Sequence, residues 1–187
     1  MHLPDLPVSL LDDLQAEGLI TQRSVYESLR QKLVEAQKEL TKGKPDKAAE
    51  KLWDFVEQLD KESGKGRTAP VGAALLQDGA FCILGTFGKD ETGLRKIEGL
   101  RDLVATDYQQ GLITSASLRD RLDERLAKAQ EKLVDEGAKK AADELTKYIA
   151  DVTKERGKKT NTVAADELIA RAQSIIAHLN PAGGDDD

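Results

Sequence analysis

Shifting the chain by about 93 positions lays residues 18–84 on residues 111–177 without a gap, so whatever fold it adopts must satisfy one pattern twice. Gly18, Leu19, Ile20 and Thr21 match Gly111, Leu112, Ile113 and Thr114. Ala36 and Gln37 match Ala129 and Gln130, and Ala48, Ala49 and Leu52 match Ala141, Ala142 and Leu145. Lys61, Glu62, Gly64 and Lys65 match Lys154, Glu155, Gly157 and Lys158. About three in ten aligned positions are identical, and most of these are apolar or turn residues, as expected when a core is kept while the surface drifts.

The spacing inside each copy is helical. Val25, Leu29, Leu33, Ala36 and Leu40 recur along one helical face, as do Leu118, Leu122, Leu126, Ala129 and Leu133. A third helix with Pro45 in its first turn carries Ala49, Leu52, Val56 and Leu59, matched by Ala142, Leu145, Ile149 and Val152. A short helix comes first, Ser9–Glu17 in one copy and about Leu94–Gln110 in the other, closed by Gly18 or Gly111 in the left-handed conformation. Thr21 or Ser24, and Thr114 or Ser117, are read as caps of the next helix, with Ser24 and Glu27 as a capping box and Ser117 and Asp120 as a weaker one. The fourth helix is plain from about Val163 to Leu179; in the first copy Gly72 and Gly79 predict a shorter or bent one.

The chain is therefore expected to be all-α, two tandem repeats each forming an antiparallel bundle of about four helices. Residues 1–84 form the first repeat, 85–93 a glycine-rich linker, 94–180 the second repeat and 181–187 a disordered acidic tail. The composition agrees, with 33% charged and only 4% aromatic residues.

A net charge of -6 argues against nucleic acid as a partner, because phosphate binding depends on Lys and Arg displacing counterions. No secretory signal precedes the first helix and no window is apolar enough to span a membrane, so the chain reads as soluble, and cytoplasmic if it is complete as given. Cys82, within Phe81-Cys82-Ile83-Leu84, is read as a buried structural thiol.

Gly-Leu-Ile-Thr, a long helix ending Leu-x-x-Ala-Gln-x-x-Leu, a Gly turn, Lys-Ala-Ala-x-x-Leu-x-x-(Phe/Tyr)-(Val/Ile), a Gly-Lys turn and a final Leu-Ile-x-x-Ala-x-x-Ile-Ile together resemble the FIMAH domain. The resemblance covers most of the second copy, Leu103–Leu179, and the first more loosely, from Leu11 to about Leu84. It implies a small helical accessory module of secreted multidomain bacterial hydrolases, extracellular as part of a larger protein, whose supposed role is binding carbohydrate or another protein. The shared motifs are core and turn residues, so they imply a fold and no catalytic residues. The chain departs from a usual member in having two copies.

Chemistry of its own finds little support in the residues. The histidines are His2 and His178, the latter best read as a cation at a helix C-terminus, and with one cysteine they make neither a triad nor a zinc site. Carboxylates such as Asp12, Asp13, Glu17, Asp120, Asp123 and Glu124 read as solvated helix faces with i,i+4 partners. Gly85, Gly88 and Gly93 match no phosphate-binding spacing. No cofactor or metal is expected.

Two features are candidates for binding. The turn after the third helix is basic in both copies, with Lys61, Lys65 and Arg67 in one and Lys154, Arg156, Lys158 and Lys159 in the other, so an anionic polymer or acidic surface could be met twice. Solubility alone is the plainer explanation of such a turn. Trp53 and Tyr26 stand where the second copy has Thr146 and Arg119, so their rings are not demanded by the common core and are candidates for stacking on a sugar or anchoring a partner; edge-of-core packing is the alternative. The expected function is a non-catalytic binding or spacer module accompanying a secreted enzyme, with carbohydrate recognition as one form of it. The alternative is a free-standing helical scaffold or regulator that binds another protein.

Overall fold

A computed structural model describes residues 8–180, so His2 and the expected tail 181–187 lie outside the described residues. The described chain is all-α: α1 (Val8–Ala16), α2 (Arg23–Thr41), α3 (Pro45–Gly64), α4 (Pro70–Thr86), α5 (Glu91–Gln109), α6 (Ala116–Asp135), α7 (Ala138–Glu155) and α8 (Thr162–Leu179). It divides into two compact units, Met1–Glu91 and Thr92–Asp187.

In the first unit α2 packs on α1 and α3, α4 packs on α3, and α1 touches α4, which closes a four-helix bundle. Lys32 pairs with Asp54 while Ser28 bonds Gln58, so α2 and α3 run antiparallel. Leu29, Leu33, Leu52, Phe55 and Leu76 are fully buried in its core. The stripe read from period 3.6 on α2 is buried at every position. Gly18 and Gly43 end α1 and α2 with φ of 76° and 70°, a region that penalises a Cβ, and Pro45 opens α3 where its missing N–H has no intrahelical role.

In the second unit α7 packs against α6 and α8, and Arg101 of α5 reaches Asp123 of α6 at 2.8 Å. Gln130, fully buried, donates to the Leu94 carbonyl and to Glu98, holding α5 against α6 in antiparallel sense. Leu122, Leu126, Leu145, Val152 and Leu168 form the centre of this core.

Four expectations need correction. The helix said to be broken by Gly72 and Gly79 runs unbroken as α4, 17 residues against 18 in α8. Burial of Leu76, Ala80, Phe81 and Leu84, at about 1.5–3 kcal/mol for each large side chain, exceeds the cost of about 1 kcal/mol per glycine. The linker is shorter than 85–93: Gly85 lies inside α4 and Gly93 is buried in α5, leaving residues 87–90 between helices, with Gly88 at φ 78°. Cys82 is exposed, on the opposite face of α4 from Leu76 and Leu84, with its Sγ 3.6 Å from Glu91 Oε1.

The fourth correction concerns register. Glu62 and Glu155 are both buried near the ends of α3 and α7, 93 positions apart, but the next matching features, Thr68 and Thr160, are 92 apart. The turn is one residue shorter in the second unit. In the first, α3 continues through Gly64 and the left-handed residue is Gly66 (φ 68°); in the second, Gly157 takes that conformation (φ 71°) two residues after Glu155. Beyond it Val71, Ala73, Leu76, Ala80 and Ile83 correspond to Val163, Ala165, Leu168, Ala172 and Ile175; the last four of each set are buried, and both valines are exposed.

Candidate functional site

The Gly-Leu-Ile-Thr motif is a strap that ties the chain between the first and second helices of a unit to the turn between the third and fourth. Ile20 makes an isolated antiparallel bridge with Thr68, and Ile113 with Thr160. In the first unit the Thr21 N–H and hydroxyl both donate to the Arg67 carbonyl, at 3.1 and 3.0 Å, and the Ala69 N–H donates to the Leu19 carbonyl at 2.7 Å. In the second the Thr114 N–H and hydroxyl donate to the Lys159 carbonyl, at 2.9 and 3.2 Å, and the Asn161 N–H donates to the Leu112 carbonyl at 2.8 Å. The threonines thus clamp a distant turn rather than cap a helix. Neither Ser24 nor Ser117 is an N-cap: Gln22 precedes α2 without a side-chain cap, and the Ser115 hydroxyl caps α6 by accepting from the Leu118 N–H.

The clamp fixes the two basic turns, and one buried glutamate organises each. Glu62 accepts from Lys65 Nζ at 3.0 Å and from Arg67 Nη1 at 2.9 Å, and these two cations hold its carboxyl below the usual carboxylate range. Glu155 lies 3.6 Å from Arg121 of α6 and 3.8 Å from Lys159. Arg156 forms a bidentate pair with Asp166, both bonds 2.7 Å. Four cations of the basic turns, Lys65, Arg67, Arg156 and Lys159, are therefore paired inside their own unit. Lys61 and Lys154, 93 positions apart, and Lys158 are exposed, and among the described residues none has a carboxylate partner within salt-bridge distance. Lys158 Nζ donates only to the Lys154 carbonyl, at 3.2 Å. Beside the turns stand two exposed valines, Val71 at 60% and Val163 at 76%.

Glu62 and Glu155 are identical under the 93-residue shift, but so are Lys61 with Lys154 and Lys47 with Lys140, all four exposed, so identity alone does not single out the buried pair.

Trp53 is not a ligand platform. It is 4% exposed and stacks on Phe81 of α4, ring centroids 6.5 Å apart and planes 13° from parallel. It is core packing belonging to the first unit, and Thr146, at the equivalent place, donates to the Ala142 carbonyl. Tyr26 is half-buried, and its hydroxyl donates to Asp12 of α1 at 2.7 Å, a bond that raises its pKa. Arg119, its counterpart, lies 4.5 Å from the Tyr108 ring centroid of α5. Both side chains thus pin the first helix of a unit to the second.

The carboxylates do not converge on a reacting centre. Asp12 is bound by Tyr26, Asp120 by Arg119 and Asp123 by Arg101, and a hydrogen bond from Lys128 lowers the pKa of Glu124. Among the described residues no group of three or more His, Cys, Asp or Glu side chains is placed to hold a metal ion. Nor, among them, is any helix long and apolar enough to cross a membrane.

A four-helix unit strapped by its Gly-Leu-Ile-Thr motif defines a class of small helical module. Residues 8–83, which run from the start of α1 almost to the end of α4, match the family model of the FIMAH domain, and this first unit is a FIMAH-like helical domain. The FIMAH domain is an accessory helical domain, not a catalytic one. No curated protein and no solved structure matches the chain.

Proposed function

We propose that the chain is a non-catalytic binding module, two copies of one FIMAH-like unit accompanying a larger secreted protein, and that it meets an anionic polymer or acidic surface through its basic turns. The observation that supports this reading is the state of Lys61, Lys154 and Lys158. The turn backbone is clamped by Thr21 or Thr114 and the neighbouring cations are neutralised internally, while these three ammonium groups remain exposed and without a carboxylate partner among the described residues. A fixed backbone lowers the ordering cost of contact, and long-range attraction to an anion follows from charge alone.

Carbohydrate recognition by Trp53 stacking has no place in this reading; an acidic polysaccharide does. The test is titration of the chain with polygalacturonate and with a neutral glucan at low and moderate salt. Saturable binding of the polyanion alone is expected, weakening with salt and lost in a Lys61→Glu, Lys154→Glu, Lys158→Glu variant. Binding of the glucan, unaffected by these substitutions, would overturn it.

The second reading, a protein-interaction scaffold, is supported by an open groove along α1 and α2, lined by Val8, Leu33, Val34 and Thr41, where Val34 is 47% exposed. Capture of a partner that survives the triple charge reversal and is lost on Val34→Asp would favour it.

A further inference from the structure

The second unit holds two buried polar side chains where the first has two buried apolar ones. Asp107, in the last turn of α5, is 5% exposed; Tyr148, on α7, is fully buried, and among the described residues its hydroxyl has no hydrogen-bond partner. The equivalent residues of the first unit are Leu14, 3% exposed, and Phe55, fully buried. The two positions therefore differ together, apolar with apolar in one unit and polar with polar in the other.

An ionised Asp107 is poorly placed. Burial strips its carboxylate of water, the carbonyl end of α5 repels an anion, and Glu167 of α8 adds a like charge, with Arg171 of α8 opposing them. From α7 it is faced by Tyr148, whose own ionisation is pushed up by burial and by Asp107. The backbone carbonyl of Asp107 accepts the N–H groups of Leu112 and Ile113, at 2.8 and 3.1 Å, so a shift of this residue is passed directly to the Gly-Leu-Ile-Thr strap.

We propose that Asp107 and Tyr148 make the second unit a pH-responsive element, tight while Asp107 is an uncharged acid and loosened at its strap when the carboxylate forms, and that the first unit, with Leu14 and Phe55, lacks this response. The sign follows from linkage. The folded unit holds the Asp107 proton to a higher pH than the unfolded chain does, so across that interval it binds more protons and its stability falls as pH rises. Below the ordinary aspartate range both forms are protonated and the contribution is fully present. Glu144 and Asp166, held low by Lys147 and Arg156, act in the opposite sense, so the effect is read as a difference between variants.

The experiment is amide hydrogen exchange on the full chain from about pH 4 to about pH 8, comparing wild type with Asp107→Asn, which keeps the shape of the uncharged acid. Protection of the Leu112, Thr114 and Asn161 amides is expected to be alike at the acid end and to fall severalfold below that of Asp107→Asn towards neutral pH. The Leu19, Thr21 and Ala69 amides should not distinguish the two. If Asp107→Asn folds poorly, the pair Asp107→Leu with Tyr148→Phe, which installs the first unit's residues, takes its place. A wild-type to variant ratio constant across the pH range, or an equal fall in the first unit, would overturn the proposal.

Discussion

Replacing Trp53 by alanine removes a ring buried to 4% exposure and its stacking on Phe81, which predicts a loss of about 3–5 kcal/mol in denaturant unfolding of the first unit. An ordinary surface loss of under about 0.5 kcal/mol would contradict the burial. Gly72 tests the opposite sign. A Cβ there would sit 3.5 Å from Leu19 Cβ and 3.7 Å from Leu14, ordinary contact, and the second unit carries Ala164 at the same point. Gly72→Ala is therefore expected to stabilise the first unit by about 0.5–1 kcal/mol in the same assay. The buried stripe of α2 was legible because period 3.6 assigns each residue to a face. Trp53 and Cys82 were not: Trp53 stands beside the stripe of α3 and is covered only by a neighbouring helix, and Cys82 lies in an apolar run whose composition hides that it takes the outer face of α4. Trp53 is covered by Phe81 of α4, while Cys82, one residue on, is left exposed.

The strap joins elements about 45 residues apart in sequence, and its threonine does the same work in each unit. Thr21→Val or Thr114→Val keeps the side-chain shape and the backbone bond but loses the hydroxyl donation. Each is expected to cost about 0.5–1.5 kcal/mol in its own unit and to raise amide exchange in the turn it holds. A cost confined to helix-start amides of α2 or α6 would point instead to capping. Sequence reading placed the eight helices of the described residues, with α4 expected to be shorter or more bent than it is, and the first-turn proline of α3, since stripes, glycines and Pro45 each have a local physical meaning. It missed the one-residue slip after α3. Gly64-Lys65 repeats in Gly157-Lys158 under the gapless register, and the doublet Leu75-Leu76 lets either leucine face Leu168, so the wrong register looks nearly as good. Only the bridges, Ile20 to Thr68 and Ile113 to Thr160, decide it.

Across the chain, two compact units carry the same strap and the same buried glutamate, and they differ in what fills the rest. The first keeps Leu14 and Phe55 where the second has Asp107 and Tyr148. Glu62 takes its cations from its own turn, while Glu155 takes one from α6. The basic turns were visible in the sequence as charge runs. Which lysines remain available was not, because that depends on carboxylates brought in by folding: Glu62 and Glu155 from the preceding helices and Asp166 from α8. The proposed contact at Lys61, Lys154 and Lys158 is checked by following the backbone amide resonances of the intact chain during polygalacturonate titration. Shifts concentrated on the turns after α3 and α7, around Lys61 and around Lys154–Lys158, are the predicted result; shifts concentrated along the α1–α2 groove at Val8, Leu33 and Val34, with both turns silent, would contradict it.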